Sequence, residues 1–486
     1  MKKNNAIKLV FTVGSLISFV ACSNTSKEII AHSSESSHFS NVSSENINSS
    51  NDSSNSSSEQ IDPPVDDPTN IKINGAKQLR NPEDLTHRFS YDKYYDADFV
   101  LFKNKMKSFS AKLSEIIAKR EYQSGKNFVF SPLSVELCLG LAIRSTSGAT
   151  RQELLDAIGI DYATFNSNYK LYYDFLYRDT KNNMGYSTAR LLFANSIWVD
   201  DEETLKDDCL DALRNDYYCY SYEADFNNKN KETNQAIREF VKQATNGLID
   251  QDLKLSPSTL FVLMNVVYLK DIWNDYGDDL KLAEADYKFK NSDGSYSDKR
   301  LLISPEDEGR VMNNDDYSAF HTLTNSGFNI YFIKANEGKN IKEIFNENTI
   351  NYVVDFHNYV TQDDEKLEKY YTKCYFPEYE ANGDYDLKKV FQEELGVTSI
   401  FSGTSDFSNL TDDNVFCSDF KQIAKLKVDK SGIEGAAVTY MAEAGAAGPG
   451  KYKEVHETFV VDQEFGYVVS RDDNVIFSGI VTNIDK

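Results

Sequence analysis

Cysteine, histidine, proline and tryptophan are all scarce in this chain, and each scarcity removes a class of explanation. Its 486 residues include six cysteines, six histidines, nine prolines and two tryptophans. No C-x-x-C occurs and no Cys/His grouping has metal-ligand spacing, so the sequence calls for no metal and no cofactor. His32 and His38 lie in a serine-rich stretch, and His456-Glu457 lacks the second histidine of a zinc-protease helix. Neither a G-x-S-x-G elbow nor a P-loop is present, so no turnover enzyme is expected. Cations are in deficit too, with 52 Lys and Arg against 76 Asp and Glu and a net charge of −24. Binding to phosphates needs cations, so nucleic acid is not an expected partner. Finally, the N-terminal apolar run from 9 to 21 is too short for a bilayer core, which takes roughly 20 residues.

What is there begins with targeting. Lys2, Lys3 and Lys8 precede that apolar run, which reads as the h-region of an export signal spanning 1–21. It ends Phe19-Val20-Ala21-Cys22, small residues before a thiol, as in the lipobox of bacterial lipoproteins, although Phe19 stands where Leu is usual. Cys22 is the expected lipidation site, and its acyl chains would hold the protein to a bacterial membrane, at the cell surface or outside the cell. An ordinary secretory signal is the alternative. Sixteen serines fall between 23 and 58, with too little apolar surface to offset the cost of ordering, so 22–84 reads as a lipidated N-terminus and flexible stalk. Residues 85–486 show no second linker and no repeat, and read as one domain. Five cysteines remain after Cys22, so they cannot all pair. Buried free thiols are expected, with a Cys209–Cys219 bridge as the alternative.

The domain is mixed. Residues 99–120 carry Phe102, Met106, Phe109 and Leu113 at helical spacing, and 134–143 and 150–158 read as further helices, the last with Thr150 and Glu153 as a capping box. "ARLLFANSIWVD" and "STLFVLMNVVYL" read as buried strands, "CYFPEYEANGDYDL" opens with one, and 423–428 alternates as a strand does. The stretch "GIEGAAVTYMAEAGAAGPG", from 432 to 450, holds eleven glycines and alanines in nineteen residues, yet Ile433, Val438, Tyr440 and Met441 sit among them. Composition alone reads it as a surface loop open to proteases.

Six segments in order resemble the serpins. They are "KNFVFSPLSVELCLGLAIRSTSGATRQELLDAIG" with its Ser131-Pro132-x-Ser134 turn, "ANSIWV", "NQAIREFVKQATNGLI" with Phe240 for the usual Trp, "LMNVVYLKDIW" with Asn265 and Trp273, "DYDLKKVFQEELGVTSIFSGTSDFSNL", and the small-residue stretch itself. The resemblance implies an α+β serpin fold of about three β-sheets and eight or nine helices, with an exposed reactive-centre loop near the C-terminus. Ser131, Ser134, Asn265 and Trp273 would be structural. The hinge would comprise Gly432, Ile433, Glu434, Gly435, Ala436, Ala437, Val438 and Thr439. In that family the loop is a protease bait that becomes a strand of the large sheet once cut. Strand alternation then puts Ile433, Gly435, Ala437 and Thr439 inward and Glu434, Ala436 and Val438 outward. Counting fourteen residues from Gly432 makes Ala446–Ala447 the reactive bond, with Ala444 as the alternative before the cut. A small residue there suits elastase-like serine proteases, with papain-like cysteine proteases as further partners. The implied protein is a monomeric suicide-substrate inhibitor. A non-inhibitory binding or adhesion protein on the same fold is the alternative. Three residues depart from the family: Lys430 for Glu, Ile433 for a small residue, and Gln422 for a His beside Ser134 and Asn265.

Overall fold

The computed structural model describes residues 7–15, 71–82, 89–181, 187–251, 253–274, 279–434 and 452–485, with only the backbone path for 7–15. The chain divides into a unit of 1–18 with 67–486 and a unit of 19–66. The second unit, with Cys22 and most of the expected stalk, lies outside the described residues.

Helices come first in the architecture because two of them support the sheets. The helix α1 (Ala97–Glu121) starts at Asp96, whose side chain accepts from the Asp98 amide. It buries Phe99, Phe102, Met106, Phe109, Leu113 and Ile117, three or four residues apart. The helix α2 (Pro132–Ser145) is capped by Ser131 with Pro132 in its first turn, where a missing N–H costs nothing. All of its residues except Arg144 are buried, so it runs inside the molecule. The others are α3 (Gly148–Ile158), α4 (Tyr162–Leu176), α5 (Asp207–Tyr217), α6 (Asn230–Ala244), α7 (Ile341–Ile344), α8 (Glu347–Val353) and α9 (Leu387–Glu394). The capping box expected at Thr150 and Glu153 does not form, because α3 already begins at Gly148. Thr150 instead accepts from the Asp406 amide, and the Glu153 carboxylate accepts from the Thr398 and Ser399 amides. Both residues brace a loop some 250 positions away, which local spacing cannot reveal.

Three large sheets and a hairpin carry the strands. The nine-stranded sheet comprises β1 (Ile7–Ser15), β2 (Lys77–Arg80), β4 (Arg178–Lys181), β5 (Ser187–Asp200), β6 (Cys219–Ala224), β7 (Thr259–Ile272), β17 (Tyr379–Asp386), β18 (Val415–Asp429) and β19 (Gly432–Ile433). A six-stranded sheet holds β3 (Phe128–Phe130), β12 (Met312–Asn313), β13 (Tyr317–Leu323), β14 (Phe328–Ala335), β21 (Phe465–Arg471) and β22 (Asn474–Val481). A five-stranded sheet holds β8 (Lys281–Leu282), β11 (Leu302–Glu308), β15 (Gln362–Asp363), β16 (Glu368–Phe376) and β20 (Lys453–Val460), and the hairpin pairs β9 (Tyr287–Lys290) with β10 (Tyr296–Lys299). The two apolar runs read as strands are β5 and β7, and "CYFPEYEANGDYDL" supplies the end of β16 and all of β17.

The large sheet is covered on both faces. On one side α2 packs beneath β7 within the main core. On the other, α6 lays Ile237 and Phe240 over Trp198, Tyr222, Val262, Met264 and Val266. The Phe240 ring meets Trp198 edge-on at 5.8 Å, so the smaller ring still fills the place where the family has Trp. Cys138, Cys209, Cys219, Cys374 and Cys417 are all buried free thiols, so Cys209 and Cys219 do not pair.

Candidate functional site: a gap in the large sheet

Among the described residues, the long strands of the large sheet pair directly with a long neighbour except between β7 and β18. From Ala189 to Val199, β5 pairs antiparallel with β7, and β17 pairs antiparallel with β18 over Tyr379 to Asp386. No pairing joins β7 directly to β18 among the described residues; other chain segments lie between them. At one end β19 pairs antiparallel with both, Ile433 opposite Val428 and Asp271. Further along, β1 lies parallel to both, Val13 opposite Gln422 and Asn265.

The entry to this gap is built for a chain passing close to backbone. Gly432 has φ +149°, and a Cβ there would lie 2.1 Å from the Asp271 carbonyl oxygen and 2.9 Å from Ile272 Cα. Only glycine fits. Ile433 follows with no exposed surface, so the bulky residue that departs from the family is already accommodated in the core. Trp273, fully buried, donates from Nε1 to the Asp429 carbonyl at 2.7 Å and pins the end of β18 just before the turn. Asp271 accepts from the Ser326 amide at 2.9 Å, and burial pushes its carboxyl up to about 6. Lys430, where the family has Glu, meets acids instead. Its ammonium pairs with Asp279 and its amide donates to Glu378 at 3.0 Å. Lys430 is thus paired with acids at the start of the hinge.

Further down the gap is a polar belt. Ser134 Oγ donates to Asn265 Oδ1 at 2.8 Å, Asn265 Nδ2 donates to Asn195 Oδ1 at 2.9 Å, and Asn195 Nδ2 donates to the Tyr217 carbonyl at 2.7 Å. Gln422 does not join that chain. Its amide bonds the Ser131 backbone both ways, accepting from N at 2.9 Å and donating to O at 2.7 Å. Ser131 Oγ donates to the Ile476 carbonyl at 2.9 Å, tying α2 to β22. Sequence reasoning singled out Ser131, Ser134, Asn265 and Trp273 and passed over Asn195, which lies inside the "ANSIWV" motif. The signal was a polar residue at the middle of an apolar strand, where burial demands a partner.

Of the hinge, Gly432, Ile433 and Glu434 are described. Gly435, Ala436, Ala437, Val438, Thr439, Ala444, Ala446 and Ala447 lie outside the described residues. One acidic cluster stands elsewhere: Asp200, Asp201 and Asp225 bring carboxylate oxygens within 4.8 Å of one another. Asp200 spends its oxygens on the Glu202 and Phe226 amides, at 3.2 and 2.9 Å, which marks a turn rather than an ion site.

Comparison with known proteins agrees with this geometry. The Serpin (serine protease inhibitor) family profile matches residues 104–484. Alpha-1-antiproteinase S of Cavia porcellus is 23% identical over 319 residues, 65% of this chain and 75% of the relative. Serpin-Z10 of Arabidopsis thaliana is 23% identical over 381 residues, covering 75% and 93%. Among solved structures, the thermophilic serpin tengpin in its native state superposes with a TM-score of 0.65 at 20% identity, over 84% of this chain and 100% of that one. A thyroxine-binding globulin complex with thyroxine gives 0.61 at 18% identity, over 78% and 99%. With the profile covering 104–484 and the gapped sheet in place, this chain belongs to the serpins.

Proposed function

We propose that the chain is an exported inhibitor that traps elastase-like serine proteases by inserting its cut loop between β7 and β18. The observation that carries this reading is β19: the first two hinge residues already pair with both flanking strands, at the entrance of a gap those strands leave to a guest. A protease that cuts after Ala446 would be acylated on its own nucleophile. Insertion would then carry it away before water can release it. Inserted residues gain backbone hydrogen bonds worth about 1 kcal/mol net each, close to the cost of ordering them. The drive would therefore come from side-chain burial and from closing the gap, with the uncut fold held kinetically.

We propose as well that 1–21 is removed on export. In the whole chain Ile7–Ser15 fills the part of the gap that Ala437 and later residues would need, Ser15 standing opposite Val267. Processing would clear it, and acylation of Cys22 would leave the domain tethered to a membrane, facing proteases outside the cell. A chain that kept this segment would present a filled gap, which favours the non-inhibitory reading.

One experiment addresses both. Protein purified from exporting cells is weighed by mass spectrometry, then incubated with elastase. The expected N-terminus is acylated Cys22, and the expected product is an adduct that survives SDS, with a released peptide beginning at Ala447. Clean cleavage without adduct makes the protein a substrate and overturns the inhibitor reading. An N-terminus that retains residues 7–15 overturns the processing step.

A further inference from the structure

Glu434 is the last described residue of the hinge, and its conformation breaks the pattern set by the two before it. Continuing the registers of β19 by one residue puts Glu434 opposite Lys427 on β18 and Lys270 on β7. Directly opposed residues share a face, so a strand running on would carry the carboxylate between two ammonium groups. The strand does not run on. Glu434 has φ +45°, a left-handed conformation that costs a non-glycine residue energy. Its amide donates to the Lys427 carbonyl at 3.3 Å, and its side chain leans along the gap so that Oε1 accepts from Tyr268 Oη at 3.3 Å. Tyr268 lies two positions further along β7, opposite the place Ala436 would take in a continued register. The half-buried carboxyl therefore stands where the next outward-facing residue of an inserted loop must go.

The charged and titratable groups around it come from each packed element. Strand β7 offers Tyr268 and Lys270, and β18 offers Lys425 and Lys427. Arg190 on β5 and Asn246 after α6 act on the Tyr268 hydroxyl. Lys427 is bridged to Asp429 at 2.8 Å and Lys425 to Glu380 at 3.7 Å, while Asp271 turns away to Ser326. Burial outweighs the lysines and pushes the Glu434 carboxyl up to about 7.

We propose that Glu434 is a positioning residue of the hinge, a latch that stops the loop at Ile433 until its side chain leaves Tyr268 and swings out between Lys270 and Lys427. The proposal rests on the insertion reading above. The sign of its pH dependence follows from the two places the carboxyl can occupy. In the latched place it holds its proton more firmly than an ordinary glutamate, and between two lysines it would hold it less firmly. The latch is therefore strongest in acid, and its hold is lost as pH rises through about 7. Below that point insertion slows by up to about tenfold per pH unit.

Exported wild-type protein, Glu434→Gln and Glu434→Ala are each treated with elastase from pH 5.5 to 8.5, and the share of cut chains that end as adduct is counted. Comparing variants at one pH cancels the protease's own titration. The wild type is expected to match Glu434→Ala above pH 8 and to fall away from it in acid. Glu434→Gln, which accepts from Tyr268 but cannot ionise, stays low throughout. A wild-type to Glu434→Ala ratio that is flat with pH, or a Glu434→Gln profile that follows the wild type, overturns the latch. If no variant forms an adduct, the inhibitor reading has failed by itself. The latch is then judged by how fast the loop-cut chain gains heat resistance. An acid-slowed gain in the wild type but not in Glu434→Ala supports it, and identical profiles or no gain overturn it.

Discussion

The two seams beside β7 are made of similar residues and behave differently. On one side β5 meets β7 residue by residue from Ala189 to Val199, a permanent seam buried under α6 on one face and over α2 on the other. On the other side β7 faces β18 across a gap that is shared by β19 and β1. Both seams are formed by the same kind of strand backbone, and a sheet edge left unpaired recruits strands. The difference lies in who supplies the partner. The first seam is closed by the neighbouring strand of the fold, the second by two shorter segments, β19 and β1, that lie between β7 and β18. On the proposed reading, a seam of the second kind is a binding site for a strand.

The largest way to break that distinction is a charge placed where a guest strand must be buried. Ala437→Arg would bring an unpaired cation opposite Ala424 and Val267 in a continued register, a burial costing several kcal/mol. The expected result is at least a hundredfold loss of adduct with elastase while loop cleavage continues, read on a denaturing gel. Undiminished adduct would show that Ala437 does not enter the core face.

Gly432→Ala comes next. The added methyl meets the Asp271 carbonyl at 2.1 Å in a backbone conformation that L-residues avoid. The uncut protein should lose roughly 2–4 kcal/mol in urea unfolding. A loss below 1 kcal/mol would mean that β19 can leave the gap freely.

The smallest of the three sharpens the contrast with the closed seam. Asn265→Ala removes the middle of the Ser134–Asn265–Asn195 chain and orphans a buried hydroxyl and a buried amide oxygen, at a cost of about 1–3 kcal/mol. Double-mutant cycles with Ser134→Ala should show coupling, and cycles with Gln422→Ala should show little, since Gln422 bonds Ser131 instead. Strong coupling to Gln422 would contradict the two separate networks.

How much of this could be read beforehand depended on the reach of each interaction. The helix α1 and strands β5 and β7 were legible because their signal is periodic and local. The large-residue spacing of Phe102, Met106 and Phe109 and the unbroken apolar runs of the strands say what they bury without reference to the rest of the chain. Thr150 and Glu153 were misread for the opposite reason: their partners, Asp406, Thr398 and Ser399, return from the far end of the sequence. Lys430 looked like a fault until Asp279 and Glu378 stood beside it. Strand β17 was hidden by Asn382, Gly383 and Asp384, polar or small residues that suit the edge of a sheet, while Tyr379, Ala381 and Tyr385 carry its buried side. At the gap, the small-residue composition of the hinge was visible. The left-handed turn at Glu434 and its lean onto Tyr268 were not, because they depend on two strands from distant parts of the chain.

Hydrogen exchange along β7 and β18, measured on the exported protein before and after the loop is cut, tests the gap most directly. Insertion predicts that amides in peptides covering 261–269 and 420–427 become strongly protected after cleavage, while those covering 189–199 on β5 stay as they were. Equal protection of β7 and β18 before and after cutting would contradict the claim that this seam exists to receive a strand.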